Sequence, residues 1–273
     1  MLLLVAVLFA CGDEYYGSSH DDNNSGPYPM EIEPSLSTGR DFIYYVSIDT
    51  AESLNTGIYK RPTGGTAREK VQILHGYNLH SPVIGFDDNT LAYLSSGRVM
   101  YHNISDKTDS ASKVTDSFAS IIYIRENLLL ANRDSSLFFI DESDSLPQFV
   151  SYGWNPALVR RDTFVCITGE PQKYFITKNN IYGIIPETLF QMNIPAHVIW
   201  PSIETTGHRL AFTVDYLSSM YIYSAEAGQG LFTFLDSSLY PKALILDLNR
   251  IIFTGPDGRF YQSDFAGNSS TPF

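Results

Sequence analysis

Cysteine is scarce in this chain of 273 residues. Cys11 and Cys166 are its only two, too few for a disulfide framework. Positive charge is also in short supply. Eighteen Lys and Arg stand against thirty Asp and Glu, a net charge of −12, which argues against a nucleic-acid backbone or an anionic membrane surface as the main partner. Long apolar runs are missing too. The longest, at the start of the chain, has ten residues, well short of the roughly 20 that a membrane-crossing helix needs. There is no HExxH or CxxC pair and no EF-hand loop. No GxSxG elbow precedes a helix, and "RPTGGT" (Arg61 to Thr66) lacks the strand-to-helix setting of a phosphate loop. His75 and His80, five apart, are poorly spaced for a shared metal. No metal, cofactor or catalytic residue is expected.

Aromatic residues, by contrast, are plentiful. Eighteen Tyr and seventeen Phe favour pleated, half-buried strands over helices. At 44% hydrophobic, the chain has the material for a sizeable core.

The opening "MLLLVAVLFAC" fits the apolar core of an export signal. Leu8 lies three residues before Cys11 and the small Ala10 directly before it, so "LFAC" resembles the lipobox of bacterial lipoproteins. That resemblance implies a lipid on Cys11 and a mature domain tethered to the cell envelope, at the outer membrane, on its periplasmic or surface face. The next stretch, "GDEYYGSSHDDNNSGPYP", is acidic and rich in Gly, Ser and Asn, the composition of a flexible linker. The expected organisation is a signal peptide over 1–10, a tether over 11–29 and a single domain over 30–273.

Within that domain the chain repeats itself. Six copies start at or near Pro34, Pro82, Ala119, Pro156, Pro201 and Pro241. Each continues to an apolar triplet ending at Tyr44, Tyr93, Leu130, Cys166, Phe212 or Phe253. A second column follows: Tyr59, Tyr101, Phe139, Phe175, Tyr223 and Tyr261, all aromatic, in steps of 42, 38, 36, 48 and 38 residues. A unit of some 40 residues with several short strands cannot bury its own apolar face, but radial stacking buries both faces of every sheet. The expected fold is all-β, a six-bladed β-propeller of four-stranded blades. "YPMEIE" (Tyr28 to Glu33) is expected to close the last blade as its outer strand, which would remove an open edge.

"PSIETTGHRLAF" and "PSLSTGRDFIYY" resemble TolB-type (WD-type) propeller repeats, whose consensus is a proline, a short turn, an apolar strand and an "IYxxD" strand. The resemblance covers residues 34 to about 265. It implies a binding or scaffold module of an envelope assembly.

In such a fold the residues just before each repeat proline ring one mouth of the central channel. On that basis His80, Phe118, Trp154, Trp200 and Tyr240 are the candidate binding residues, with Glu33 at the first copy. Their rings offer rigid contact area for a protein partner or a small glycan or peptide; the competing reading is that they plug the channel as ordinary core. Cys166 aligns with Tyr44 and Phe212 and reads as core. The function expected is a monomeric, non-catalytic, lipid-anchored binding propeller. The alternative is a propeller lyase or hydrolase acting on polysaccharide.

Overall fold

The computed structural model describes residues 29–37, 39–48, 55–64, 69–170, 172–183, 185–193, 197–203, 207–217, 219–228, 231–245, 247, 249–268 and 270–273. The signal, most of the tether and Cys11 lie outside the described residues.

Short apolar segments separated by tight turns fold here as antiparallel ribbons. The hairpin between Ser95 and Arg98 turns through Ser96 (φ 49°) and Gly97 (φ 82°). Paired left-handed residues of this kind match the twist of the flanking strands. Six four-stranded sheets result, each built from four consecutive strands in chain order. Their innermost strands are Met30–Leu36, Leu79–Ile84, Ser120–Arg125, Trp154–Arg160, His197–Ile203 and Leu244–Ile245. The third strands are Asn55–Pro62, Arg98–Asn103, Ser136–Asp141, Lys173–Asn180, Ser219–Glu226 and Phe260–Ser263. The protein is a six-bladed β-propeller.

Strand register shows which residues are equivalent between blades. In the second strands, Tyr45, Tyr93, Ala131, Cys166, Phe212 and Phe253 pair with third-strand Tyr59, Met100, Phe138, Thr177, Tyr223 and Tyr261. Tyr59, Tyr223 and Tyr261 therefore occupy equivalent places, as the sequence column implies. Tyr101 and Phe139 sit one residue beyond the matching position, and Phe175 two before it. A one-residue slip puts a side chain on the opposite face of the sheet. The unbroken column is the one just before it: Ile58, Val99, Leu137, Ile176, Ile222 and Phe260, none of which exposes any surface. Burying such side chains stabilises by about 1.5–3 kcal/mol each, so apolar bulk in this column, aliphatic in five blades and Phe260 in the sixth, holds each blade to its neighbours.

The buried apolar residues form one cluster at every junction between blades. Ile58 and Val46 meet Leu91 and Tyr93 between blades 1 and 2; Val99 meets Leu129 between 2 and 3; Leu137 meets Phe164 between 3 and 4. Ile176 meets Phe212 between blades 4 and 5, and Ile222 meets Phe253 between 5 and 6. The ring closes where Ile43 and Tyr45 of blade 1 pack on Ile252 and Phe260 of blade 6. Tyr45 and Phe260 meet edge to face, with centroids 5.3 Å apart.

Closure differs from the sequence expectation. Met30–Glu33 opens the innermost strand of blade 1, and blade 6 completes itself with Thr271–Pro272. The buried run Glu31–Pro34 carries "MEIE" into "PSL" without a break, and both segments pair with Phe42–Ile48 as one strand. Glu31 nevertheless bonds blade 1 to blade 6. Its N–H donates to Gly258 O at 2.7 Å, its carbonyl accepts from Thr254 Oγ1 at 2.7 Å, and its Oε2 accepts the Phe260 N–H at 3.1 Å. Arg61 lies fully buried beside it.

Candidate functional site

Four of the repeat prolines, Pro34, Pro82, Pro156 and Pro201, sit inside the innermost strands. In blades 1, 2 and 4 the pairs Glu33–Pro34, Ser81–Pro82 and Asn155–Pro156 form β-bulges, each opposite a single residue of the second strand. A bulge is one of the few places in a sheet where proline is tolerated. The residue before it is left-handed each time: Glu33 (φ 54°), Ser81 (φ 50°) and Asn155 (φ 50°). Blade 3 has no proline, and Ser120 and Ile121 pair there without a bulge.

Counted along the paired strands, one residue per blade occupies the place just before the proline. This ring is Glu33, Ser81, Ser120, Asn155, Trp200 and Lys242. On the turn side of it lies a partly open cavity of about 270 Å³ lined by the innermost strands of all six blades. Its walls are mostly apolar, Leu36, Val83, Ile122, Pro156, Ile203 and Leu244 among them, with Trp200 and Lys242 toward the ring. At its other end the inner-to-second-strand turns bring in Arg40 from blade 1 and Arg160 and Arg161 from blade 4.

Apart from Trp200 the ring is polar, and all of it but the half-buried Asn155 is buried. Glu33 is engaged on both carboxylate oxygens: Oε1 accepts from Tyr240 Oη at 2.5 Å and Oε2 from the Ser81 N–H. Lys242 Nζ stands 5.4 Å over the Trp200 ring. Burial holds the Lys242 ammonium below its usual range, with Glu33 opposing. Burial likewise lowers His80; Glu33 opposes and Lys242 adds to the shift. Burial, then Glu33, pushes the Tyr240 phenol up. The Oγ atoms of Ser81 and Ser120 are buried without a hydrogen-bond partner.

Of the five candidate residues, three gather here. Trp200 lines the cavity, Tyr240 reaches from blade 6 to Glu33, and His80 adjoins Ser81. Trp154 packs edge to face on Tyr174 against the junction of blades 4 and 5, with its neighbour Asn155 in the ring. Phe118 is buried between blades 2 and 3 against Phe138. The repeat phase is two residues early in blades 3 and 6, so Ser120 and Lys242 hold the ring places where the sequence points to Phe118 and Tyr240. Proline marks the bulge in blades 1, 2 and 4, but in blade 6 the equivalent of Pro34 is Ala243, and Pro241 lies outside the strand. Sequence reasoning also missed the arginines at the turn end. Their one signal is the motif "RRD" at the blade 4 turn, where other copies carry acids or glycine. Among the described residues no three His, Cys, Asp or Glu side chains gather as a metal site.

No protein-family model matches the chain, and no curated protein sequence does. Solved structures do. TolB from Acinetobacter baumannii superposes with a TM-score of 0.61 at 12% identity, over 83% of this chain and 62% of its own. TolB from Agrobacterium tumefaciens gives 0.59 at 12%, over 75% of this chain and 84% of its own. The nidogen/laminin complex gives 0.61 at 10%, over 90% and 92%. The chain thus spans less than two thirds of the Acinetobacter protein. Identities this low show the fold alone.

Proposed function

We propose that this protein is a non-catalytic binding propeller whose central channel takes a small ligand or a protruding segment of a partner. In this reading a lipid on Cys11 holds it to a bacterial envelope, and it works as a monomer. The observation that carries the proposal is the largely apolar cavity, open to solvent in part, which all six blades wall and which Trp200 and Lys242 line at one end. Small molecules typically bind in pockets of this kind, apolar with a few placed polar groups. The test is a peptide and glycan array probed with the wild type and with Trp200→Ala. Binding should be lost in the variant, and binding indifferent to Trp200 overturns the channel as the site. Incorporation of an alkyne-tagged fatty acid, lost in Cys11→Ala, tests the anchor separately.

One observation favours the enzyme alternative. Glu33, His80, Tyr240 and Lys242 are four ionisable groups gathered at one end of the channel. Against it, both oxygens of Glu33 are engaged and the Tyr240 phenol is shifted away from acting as a base. A general base works best when its pKa lies near the working pH. Turnover of an acidic polysaccharide by the wild type, lost in His80→Ala, would favour the enzyme.

A further inference from the structure

We propose that the cavity selects an organic anion, a carboxylate carried on a small apolar body. This inference rests on the reading of the channel as a binding site and names the class of its ligand. The chain as a whole is strongly acidic, at −12. The cavity lining reverses that balance among the described residues: Arg40, Arg160, Arg161 and Lys242 line it, and no described Asp or Glu does. The cations lie at both ends. Lys242 closes the ring end, nine-tenths buried, and its ammonium makes no hydrogen bond among the described residues. At the turn end, blades 1 and 4 face each other across the six-bladed ring and supply the arginines.

Their bonding leaves capacity for a ligand. Arg40 Nη2 donates to Ile245 O at 3.2 Å, while its Nε is buried with no partner. Arg160 is exposed and has no ion pair among the described residues. Arg161 is held at 2.5 Å by Glu126, which spends part of its charge. Several acids in the surrounding turns are already engaged: Asp87 by Asn89 and Thr90, Asp162 by Arg125, and Asp247 by Arg250. Glu33, the ring's acid, faces Tyr240 and Ser81. A low-dielectric cleft lined by one sign of charge focuses its field on a ligand of the other sign. Guanidinium forks match a carboxylate, and each such charge-assisted bond is about twice as strong as a neutral one. The walls between the two ends are aliphatic and prolyl, and the volume of about 270 Å³ lies at the small end for ligand pockets. Together they favour a compact apolar body over a densely hydroxylated one.

Trp200 lines the cavity and Trp154 does not, so Trp154→Phe leaves a single tryptophan as an internal reporter. Octanoate, its uncharged isostere octanamide and galacturonate are titrated against the fluorescence of this protein. Octanoate is expected to bind at least about tenfold tighter than octanamide, a difference of roughly 1.4 kcal/mol. Added salt should shrink that gap, and Arg40→Gln with Arg160→Gln should abolish it. Because Arg160 is exposed, Arg160→Gln alone keeps the fold and should narrow the gap by itself. Equal binding of octanoate and octanamide overturns the anion preference and leaves the channel standing as a binding site. Galacturonate binding more tightly than octanoate keeps the anion and overturns the apolar body. A Trp200 signal that no probe moves overturns both this inference and the channel reading beneath it.

Discussion

Arg61 tests how charge is tolerated where the ring closes. Its side chain is fully buried, and Nε, Nη1 and Nη2 have no hydrogen-bond partner. What it has instead is Glu31 Oε1 at 3.9 Å and the rings of Tyr45, Phe260 and Phe273 at 5.6, 5.3 and 4.3 Å. At an effective dielectric of about 20, an ion pair at that distance attracts by about 4 kcal/mol. Each ring adds roughly 0.5–2 kcal/mol. Against this, removing the two ions from water costs several kcal/mol each. The two sides nearly cancel, and burial accordingly holds the guanidinium below its ordinary range. Arg61→Met keeps the apolar contacts and removes the desolvation cost. It should leave stability unchanged or raise it by about 1–4 kcal/mol. Glu31→Gln strands the guanidinium and should cost about 3–5 kcal/mol. Glutamine can still accept the Phe260 N–H, so the loss reports the charge. Urea unfolding measures both, the midpoint moving while the slope stays fixed. An Arg61→Met protein as unstable as Glu31→Gln would refute the reasoning, because the guanidinium would then be a net source of stability.

Two further outcomes follow from burial. Tyr44 is pushed up to about 12 by burial and then Asp88, and Tyr45, Tyr93, Tyr101, Tyr123 and Tyr240 are pushed further, burial leading in each. Unfolded phenols lose their protons near pH 10, so the folded state binds more protons above that pH and stability must fall as pH rises. Melting temperature followed against pH, alongside phenolate absorbance, checks this; buried phenols that ionise near pH 10 with the fold intact contradict it. The Cys166 thiol is held up to about 11 by burial, with Thr177 and Asn179 opposing. It should resist iodoacetamide in the native protein and react only on unfolding, and rapid native labelling would show that the junction of blades 3 and 4 opens.

Much of the architecture was legible because a repeat must be written into the chain. Each blade needs its own apolar strand and a turn, and stacking demands that every copy be alike; the prolines at 34, 82, 156 and 201 mark that unit from sequence alone. Register was not legible. Nothing local distinguishes Phe138 from Phe139, or "FIY" from "IYY", since both choices present an apolar residue to one face of the sheet. Hydrogen bonding to the neighbouring strands decides between them, and it placed the unbroken column at Ile58, Val99, Leu137, Ile176, Ile222 and Phe260.

The site divides in the same way. Sequence pointed to the end of the channel where prolines enter the inner strands, and Trp200, Tyr240 and His80 lie there. It could not reveal that Lys242 rather than Tyr240 completes the ring, because in blade 6 Ala243 stands where blades 1, 2, 4 and 5 have the proline that follows the ring residue. Nor could it bring Arg40 and Arg160 to one cavity, since 120 residues separate them and only closure of the ring makes them neighbours across a channel. Composition and repeat determined that blades form and how many. Which side chains meet at the axis depended on bulges and register, long-range properties that no single stretch of the chain contains.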